Sequence, residues 1–197
     1  MRKIVKTVAQ TFDFGSLRKR LVTGNAIPEL GDGPPVAAVS VIINPSDRGG
    51  SMLLIRRTER EGDPWSGQMA FPGGHRAPKD RDFLETAIRE AKEEVGIDLR
   101  EQELLGFLEV VYARSRRIRV VPYVFQLKSD PVVRTNQEVA EYLWTPFSAF
   151  ETSPIKRSTV HFEEGSLNVD SYVFNGHVVW GLTFRVINIL LDKKRNM

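Results

Sequence analysis

The chain has 197 residues, of which 41% are hydrophobic, so it can form one substantial core but is short for two independent domains. Its formal net charge of +3 at pH 7 is a small excess spread along the sequence, so we expect no nucleic-acid polymer as a partner. The chain contains no cysteine, which excludes disulfides, thiolate metal sites and a cysteine nucleophile. Any metal ion must therefore be bound through oxygen or histidine.

The N-terminal segment contains single apolar residues among Arg2, Lys3 and Lys6. It lacks the continuous apolar stretch of a signal peptide or a membrane span, so we expect a cytoplasmic protein that does not bind membranes. Residues 1–34 are predicted to be an N-terminal arm with a short helix at 16–21, packed on a domain that spans 35–197.

Strands and turns dominate the first half of that domain. Residues 36–43 form a β-branched apolar run, which predicts a strand buried on both faces. The turn-forming residues 44–50 then lead into a partner strand at 52–56, and a further short strand leads into Gly73 and Gly74.

A helix is predicted at residues 83–95, because Phe83, Ala87, Ala91 and Val95 recur at four-residue spacing and Gly96 can end the helix. The remaining predicted elements are strands at 104–111 and 118–127, a helical turn at 146–150, a hairpin at 172–180 and an amphipathic helix at 182–191. Strands interleaved with helices predict an α/β sandwich around a mixed sheet, in a single domain.

Three carboxylates lie within the predicted 83–95 helix. Glu90, Glu93 and Glu94 stand at positions i, i+3 and i+4, so they project from one side of the helix. Such like charges favour a hard cation such as Mg²⁺, which accepts oxygen ligands beside substrate phosphates. Arg89 could orient one carboxylate, and Gly73 with Gly74 allows close approach of the backbone to a ligand. Alternatively, the helix presents an ordinary exposed face with pairs such as Arg89 to Glu93.

Residues 71–74, Phe-Pro-Gly-Gly, followed by 89–97, Arg-Glu-Ala-Lys-Glu-Glu-Val-Gly-Ile, resemble the Nudix box, which here spans about 73–97. The resemblance implies a Nudix-type α/β/α sandwich that binds Mg²⁺ or Mn²⁺ through Glu90 and Glu94, with Glu93 assisting and Gly73 supplying a carbonyl. It further implies that a metal-activated water hydrolyses a diphosphate linkage in a small nucleotide-like substrate.

The loop of the box is one residue longer than the general pattern, and its first glutamate falls on Asp80 or Arg81. A coenzyme A diphosphatase-like branch of the family is similar in this longer loop, through Pro78-Lys79-Asp80, and in residues 53–57, 67–74 and 179–183. This likeness implies coenzyme A or its derivatives as substrate, with Asp80 in place of the glutamate. Asp63, however, stands where the branch has an arginine.

Five further residues are candidates for the site. Glu138 is predicted to bind a second metal or act as the base, with an exposed surface glutamate as the alternative. Arg57 ends the 53–57 segment and is predicted to bind substrate, and Trp65 could stack on a base. Arg114 and Arg116 belong to a basic stretch that either binds phosphates or forms an exposed hairpin.

Several alternatives stay open on the sequence. ADP-ribose, nucleotide sugars and oxidised nucleoside triphosphates are other diphosphate substrates for the same fold. A catalytically silent Nudix-like module that binds a nucleotide would be expected to lose the box carboxylates, which are retained here. An isomerase of the isopentenyl diphosphate type needs a cysteine that this chain lacks. The oligomeric state is not fixed, and a homodimer is the commonest oligomer.

Overall fold

The computed structural model describes residues 12–23, 36–45, 49–63, 65–113, 118–162 and 165–193. Its strands run in chain order as β1 Val36–Asn44, β2 Ser51–Arg57, β3 Met69–Ala70, β4 Gly73–His75, β5 Glu103–Phe107, β6 Val111–Ala113, β7 Ile118–Gln126, β8 Val139–Pro146, β9 Lys156–Phe162, β10 Gly165–Phe174 and β11 His177–Trp180. Its helices are α1 Phe14–Arg20, α2 Phe83–Val95, α3 Ser148–Glu151 and α4 Gly181–Leu190, with a 3-10 turn at Leu99–Glu101.

Strand β1 is the centre of the main sheet, whose hydrogen-bonded order is β3-β2-β1-β7-β5. It runs parallel to β7 and antiparallel to β2 and β4, so the sheet is mixed, as predicted. Strands β6 and β8 pair with β7 and β2. A second, three-stranded sheet has the order β11-β10-β9.

Alternate residues of the central strands enter two separate cores, as the period of two in a strand requires. Val41 and Ile43 of β1 pack on the side of α1, α3 and α4, whereas Ala38 and Ile42 pack on the side of α2. Helices thus cover both faces of the sheet, and the predicted α/β/α sandwich is confirmed.

The bounds predicted for α2 are confirmed at both ends. Asp82 caps its N-terminus by accepting a hydrogen bond from the Glu85 backbone N–H, and Gly96 ends it in the left-handed conformation with φ of 73°. Ala87, Ala91 and Val95 are fully buried against the sheet. The carboxylate-bearing side of the helix is thereby held in a fixed direction.

Several other predictions differ from the structure in extent. The strand predicted at 104–111 is split into β5 and β6, because Pro122 in β7 accepts a hydrogen bond from the Leu108 N–H but has no N–H to return. The short helix predicted at 16–21 begins earlier, at Phe14, because Asp13 caps it through the Ser16 N–H. Strands β8 and β9 were not predicted.

Helices α1 and α4 are far apart in sequence but are joined by hydrogen bonds. Leu17 of α1 is fully buried, and the Arg20 guanidinium donates hydrogen bonds to the backbone carbonyls of Ile189 and Leu190. These carbonyls lie in the last turn of α4, where intrahelical donors run out, and the Ile189 carbonyl also accepts a hydrogen bond from the Asp192 N–H. The loop at 31–35 and most of the predicted arm lie outside the described residues. Among the helices that are described, none is long and apolar enough to cross a membrane.

Candidate active site

A cavity of about 1720 Å³ opens where β4, the C-terminal half of α2 and the loop between β2 and β3 meet. Glu90, Glu94 and Glu138 line it together, although Glu138 is far from the other two in sequence. Arg57, Trp65 and the Gly73-Gly74 pair line the same space. The fold therefore assembles most of the candidate residues around one cavity.

Glu94 is the most enclosed carboxylate of this group, with 1% of its side chain exposed. Its Oε2 accepts a hydrogen bond of 2.8 Å from the Gly73 N–H, and its Oε1 lies 3.8 Å from the Arg57 guanidinium. Burial, together with the charge of the neighbouring Glu90, raises the pKa of Glu94 to about 8, although the hydrogen bond from the Gly73 N–H opposes this shift. The charge of Glu94 is therefore only partly compensated by the protein.

Glu90 lies directly over Gly74. A Cβ atom added to Gly74 would come within 2.6 Å of Glu90 Oε1, and one added to Gly73 would come within 2.3 Å of the Ala38 carbonyl oxygen. The two glycines thus allow β4 to pass between β1 and the carboxylate of α2. Burial raises the pKa of Glu90, and Arg89, 2.8 Å away, opposes this effect.

Arg89 connects the acidic residues of the loop and the helix. Its Nε and Nη2 donate to the two carboxylate oxygens of Asp80 at 2.9 and 3.0 Å, and its Nη1 lies 2.8 Å from both Glu90 and Glu93. Asp80 is therefore the carboxylate that Arg89 binds through two hydrogen bonds. Asp80 also accepts hydrogen bonds from the Ala77 N–H and the Thr86 hydroxyl. Hydrogen bonds from Arg89 hold the pKa of Asp80 well below its usual range, although burial opposes them.

Glu93 and Arg89 are not among the residues that line the cavity. The Glu93 carboxylate is half exposed and contacts Arg89 and, at 3.7 Å, Lys79. Arg89 is only 15% exposed, because three carboxylates surround its guanidinium. Arg89 therefore contacts and positions carboxylates without itself lining the cavity.

Arg57 bridges two acidic residues at the cavity. Its Nη2 donates to Asp63 at 3.0 Å while its Nη1 approaches Glu94, and its buried Nε has no hydrogen-bond partner among the described residues. Burial tends to raise the pKa of Asp63, but hydrogen bonds from the Trp65 N–H and from Arg57 outweigh it and lower the pKa. The aspartate that replaces the branch's arginine therefore holds Arg57 toward the cavity.

Glu138 and Arg60 form an ion pair at the cavity. The Glu138 carboxylate is 44% exposed and lies 3.6 Å from Arg60 Nη1. Both line the cavity, and the charge of Glu138 adds to the raised pKa values of Glu90 and Glu94. Glu138 therefore presents an accessible carboxylate to the same space.

The basic stretch is largely outside the described residues, since these exclude Arg114 and Arg116. Trp180, which was not among the predicted site residues, lines the cavity with the β9–β10 hairpin. The sequence carried little signal for this wall, because β9 is mostly polar and exposed. The pairing of β9 with β10, and of β10 with β11, is seen only in the folded chain.

The donors at the cavity fit a divalent metal. Carboxylate and backbone oxygens are the ligands that Mg²⁺ and Mn²⁺ accept, and the incompletely compensated Glu94 marks a place for positive charge. Among the described residues, however, no three acidic or histidine side chains are close enough to enclose an ion. Arg89 holds Glu90 while the Gly73 N–H holds Glu94, so the two carboxylates have separate partners.

Comparison with known proteins identifies the class. The NUDIX domain family model matches residues 34–162, more than half of the sequence, and the chain belongs to the Nudix hydrolase family. The predicted family, fold class and enzyme class are confirmed.

Two curated relatives give the likeness more detail. An uncharacterized Nudix hydrolase, NudL, of Photorhabdus laumondii is 32% identical over 151 residues, covering 72% of this chain and 76% of the relative. The human mitochondrial coenzyme A diphosphatase NUDT8 is 29% identical over 183 residues, covering 90% and 77% of the two chains. The resemblance to the coenzyme A diphosphatase-like branch is thereby confirmed.

A solved structure supports the fold alone. The MutT/nudix family protein from Enterococcus faecalis superposes with a TM-score of 0.52 at 18% identity, covering 83% of this chain and 63% of that protein.

Proposed function

We propose that this Nudix hydrolase cleaves the diphosphate linkage of coenzyme A or a derivative, using Mg²⁺ or Mn²⁺. The hydrolytic chemistry is supported by one observation above all: Glu90, Glu94 and Glu138 share a single cavity with Arg57. The choice of coenzyme A rests on the human relative, whose likeness extends over most of the chain.

Glu90 and Glu94 would hold the metal, with the Gly73 carbonyl and Glu93 as further ligands. When bound, the metal supplies positive charge for the phosphate oxygens and a water of lowered pKa. Glu93 contacts Arg89 outside the cavity, so we assign it an assisting role. Asp80 acts through Arg89 and takes the place of the first glutamate of the box as a positioning residue.

The chain's own residues would bind and orient the substrate. Arg57 is held by Asp63, its Nε has no partner in the part of the chain that the structure describes, and it can donate to phosphate oxygens. Arg60 adds a second cation at the cavity. Glu138 is accessible enough to accept a proton from the attacking water or to bind a second metal. Trp65 offers an aromatic face for a base, and Arg114 with Arg116 stays a prediction for phosphate binding.

A second candidate is hydrolysis of another diphosphate, such as ADP-ribose, a nucleotide sugar or a nucleoside triphosphate. Asp63 favours this alternative, because an acidic residue stands at the cavity where the branch has an arginine. A homodimer and a cytoplasmic location also stay predictions, and the human relative is named as mitochondrial.

The decisive experiment is product analysis by mass spectrometry after incubation with coenzyme A, ADP-ribose, UDP-glucose and oxidised dGTP. With Mg²⁺ or Mn²⁺ present, we expect coenzyme A to yield phosphopantetheine and 3′,5′-ADP, and excess chelator to abolish turnover until the metal is restored. Preferred cleavage of another compound would move the assignment to that substrate. Turnover of none would contradict the proposal, and full activity in chelator would remove the metal from it.

A further inference from the structure

The segment that carries Glu138 crosses the C-terminal end of α2. The Arg134 N–H donates a hydrogen bond of 3.0 Å to the Val95 carbonyl, and the Asn136 N–H donates one of 3.2 Å to the Glu94 carbonyl. Carbonyls at the end of a helix lack the donors of a further helical turn, so these two bonds satisfy them. The backbone beside Glu138 is thereby attached to the helix that bears the proposed metal ligands.

A second set of contacts attaches the same segment to the end of β2. Thr58, which follows β2, donates its backbone N–H to the Glu138 carbonyl and its hydroxyl to the Gln137 carbonyl, both at 2.9 Å. The Asn136 carbonyl accepts a hydrogen bond of 3.3 Å from the Val139 N–H, which closes a turn into β8. Within this turn the bonds use backbone atoms, so a change of its side chains leaves them in place.

One side-chain contact in the turn acts directly on Glu138. The Asn136 Oδ1 accepts a hydrogen bond of 2.8 Å from the Glu138 N–H, two residues further on. Asparagine side chains fix local backbone in this way and so determine how a turn continues. The Glu138 carboxylate is 44% exposed, so its position depends mainly on the backbone that carries it.

We propose that Asn136 is a positioning residue for the hydrolysis, acting by fixing the backbone that carries the Glu138 carboxylate. That carboxylate is thereby kept in the cavity that Glu90 and Glu94 line, although Asn136 itself does not line it. This inference rests on the proposed function, in which Glu138 accepts a proton from water or binds a second metal. A displacement of about 1 Å at a reacting group can cost about a hundredfold in rate, so a single hydrogen bond of this kind can affect turnover.

The kinetic test compares Asn136→Ala with Asn136→Asp, which keeps a side-chain oxygen as acceptor, on the panel compound that the wild type hydrolyses best. We expect Asn136→Ala to lower kcat about tenfold with little change in KM, and Asn136→Asp to restore most of the loss. In a Glu138→Gln background, Asn136→Ala should cause no further loss, because Asn136 acts through Glu138. Thr135→Ala, at an exposed neighbour in the same segment, is the control and should keep wild-type kinetics.

Amide hydrogen exchange followed by NMR detects the same contact without turnover. The Glu138 N–H should exchange about tenfold faster in Asn136→Ala than in the wild type, and Asn136→Asp should restore slow exchange. Full kcat in Asn136→Ala, or a loss that persists undiminished in the Glu138→Gln background, would overturn the proposal. If the wild type hydrolyses none of the compounds, the proposed function fails and exchange alone decides whether Asn136 fixes Glu138. Faster exchange in Asn136→Ala then supports that role, and equal exchange overturns it.

Discussion

Two buried carboxylates near the cavity have opposite electrostatic surroundings. Asp80 accepts hydrogen bonds from Arg89, Ala77 and Thr86, and its pKa lies well below the usual range. Glu94 is equally enclosed, but a single N–H and a distant guanidinium leave its pKa raised. The first arrangement stabilises the fold, whereas the second leaves a carboxylate whose charged form requires a nearby cation for its stabilisation.

Asp80→Asn is expected to lower the free energy of unfolding by about 3 kcal/mol, because it leaves the Arg89 charge without its main partner. Since the folded-state pKa of Asp80 is lowered from about 3.8, its contribution is present above that pH and is lost as the pH falls further. Urea unfolding should therefore show a constant difference at neutral pH that shrinks below about pH 4. Asp170→Asn, in an exposed ion pair, is the control and should show no measurable loss.

Glu94→Gln is expected to lower kcat by about a hundredfold or more, because it removes a charge from the proposed metal site. Glutamine keeps the volume and can still accept from the Gly73 N–H, so the melting temperature should stay close to that of the wild type. Steady-state kinetics and thermal unfolding check both parts. The exposed Glu101→Gln serves as control, and wild-type turnover in Glu94→Gln would contradict the site assignment.

At the scale of elements, the two adjacent glycines of β4 have different neighbours. The space beside Gly73 is occupied by the backbone of β1, and its φ of 155° is rare for other residues. The space beside Gly74 is occupied by the end of the flexible Glu90 side chain. Substitution should therefore affect the fold at one position and the site at the other.

Gly73→Ala is expected to destabilise the protein by more than about 2 kcal/mol, because the β1 backbone cannot move aside. Gly74→Ala should leave the melting temperature nearly unchanged but displace the Glu90 carboxylate and reduce turnover. Thermal unfolding and kinetics of the two variants form a matched pair. Equal effects of both substitutions on stability would contradict the different roles assigned to Gly73 and Gly74.

Elements whose ends are marked by capping or terminating residues could be predicted from the sequence, whereas elements without such residues could not. The cap at Asp82 and the terminator Gly96 set the bounds of α2 by neighbouring chemistry alone. Strand β8 depends on pairing with the distant β2, and β9 exposes most of its side chains, so neither shows a clear hydrophobic period. The same holds within the site, where the box motif marks Glu90 and Glu94, whereas the branch likeness at 179–183 includes Trp180 without assigning it to the cavity.

For the whole molecule, the packing of helices on both faces of a sheet could be predicted from the alternation of strands and helices in the sequence. The order of the strands within the sheet could not. The order depends on contacts such as the parallel pairing of β1 with β7, which lie far apart in sequence. The side of the sheet that α1 covers is equally a long-range property, and it shows in the complete burial of Leu17.

Leu17→Ala is expected to lower the free energy of unfolding by about 3 kcal/mol, since it opens a cavity in the core on the α4 side. Activity should be retained below the melting temperature, because Leu17 does not line the catalytic cavity. Urea denaturation measures the loss, and Leu104→Ala, at a residue that is 42% exposed, is the control. A loss no greater than that of the control would show that α1 contributes little to the core.

The hydrogen bonds from the Arg20 guanidinium to the Ile189 and Leu190 carbonyls, at the end of α4, join residues that are 169 and 170 positions apart. During synthesis at about 5–20 residues per second, α1 leaves the ribosome roughly ten to thirty seconds before the carbonyls that Arg20 binds. Throughout that interval the side chain of Leu17 has no completed core to enter. Closure of this half of the core must therefore wait for α4, and we expect it to be among the last steps of folding.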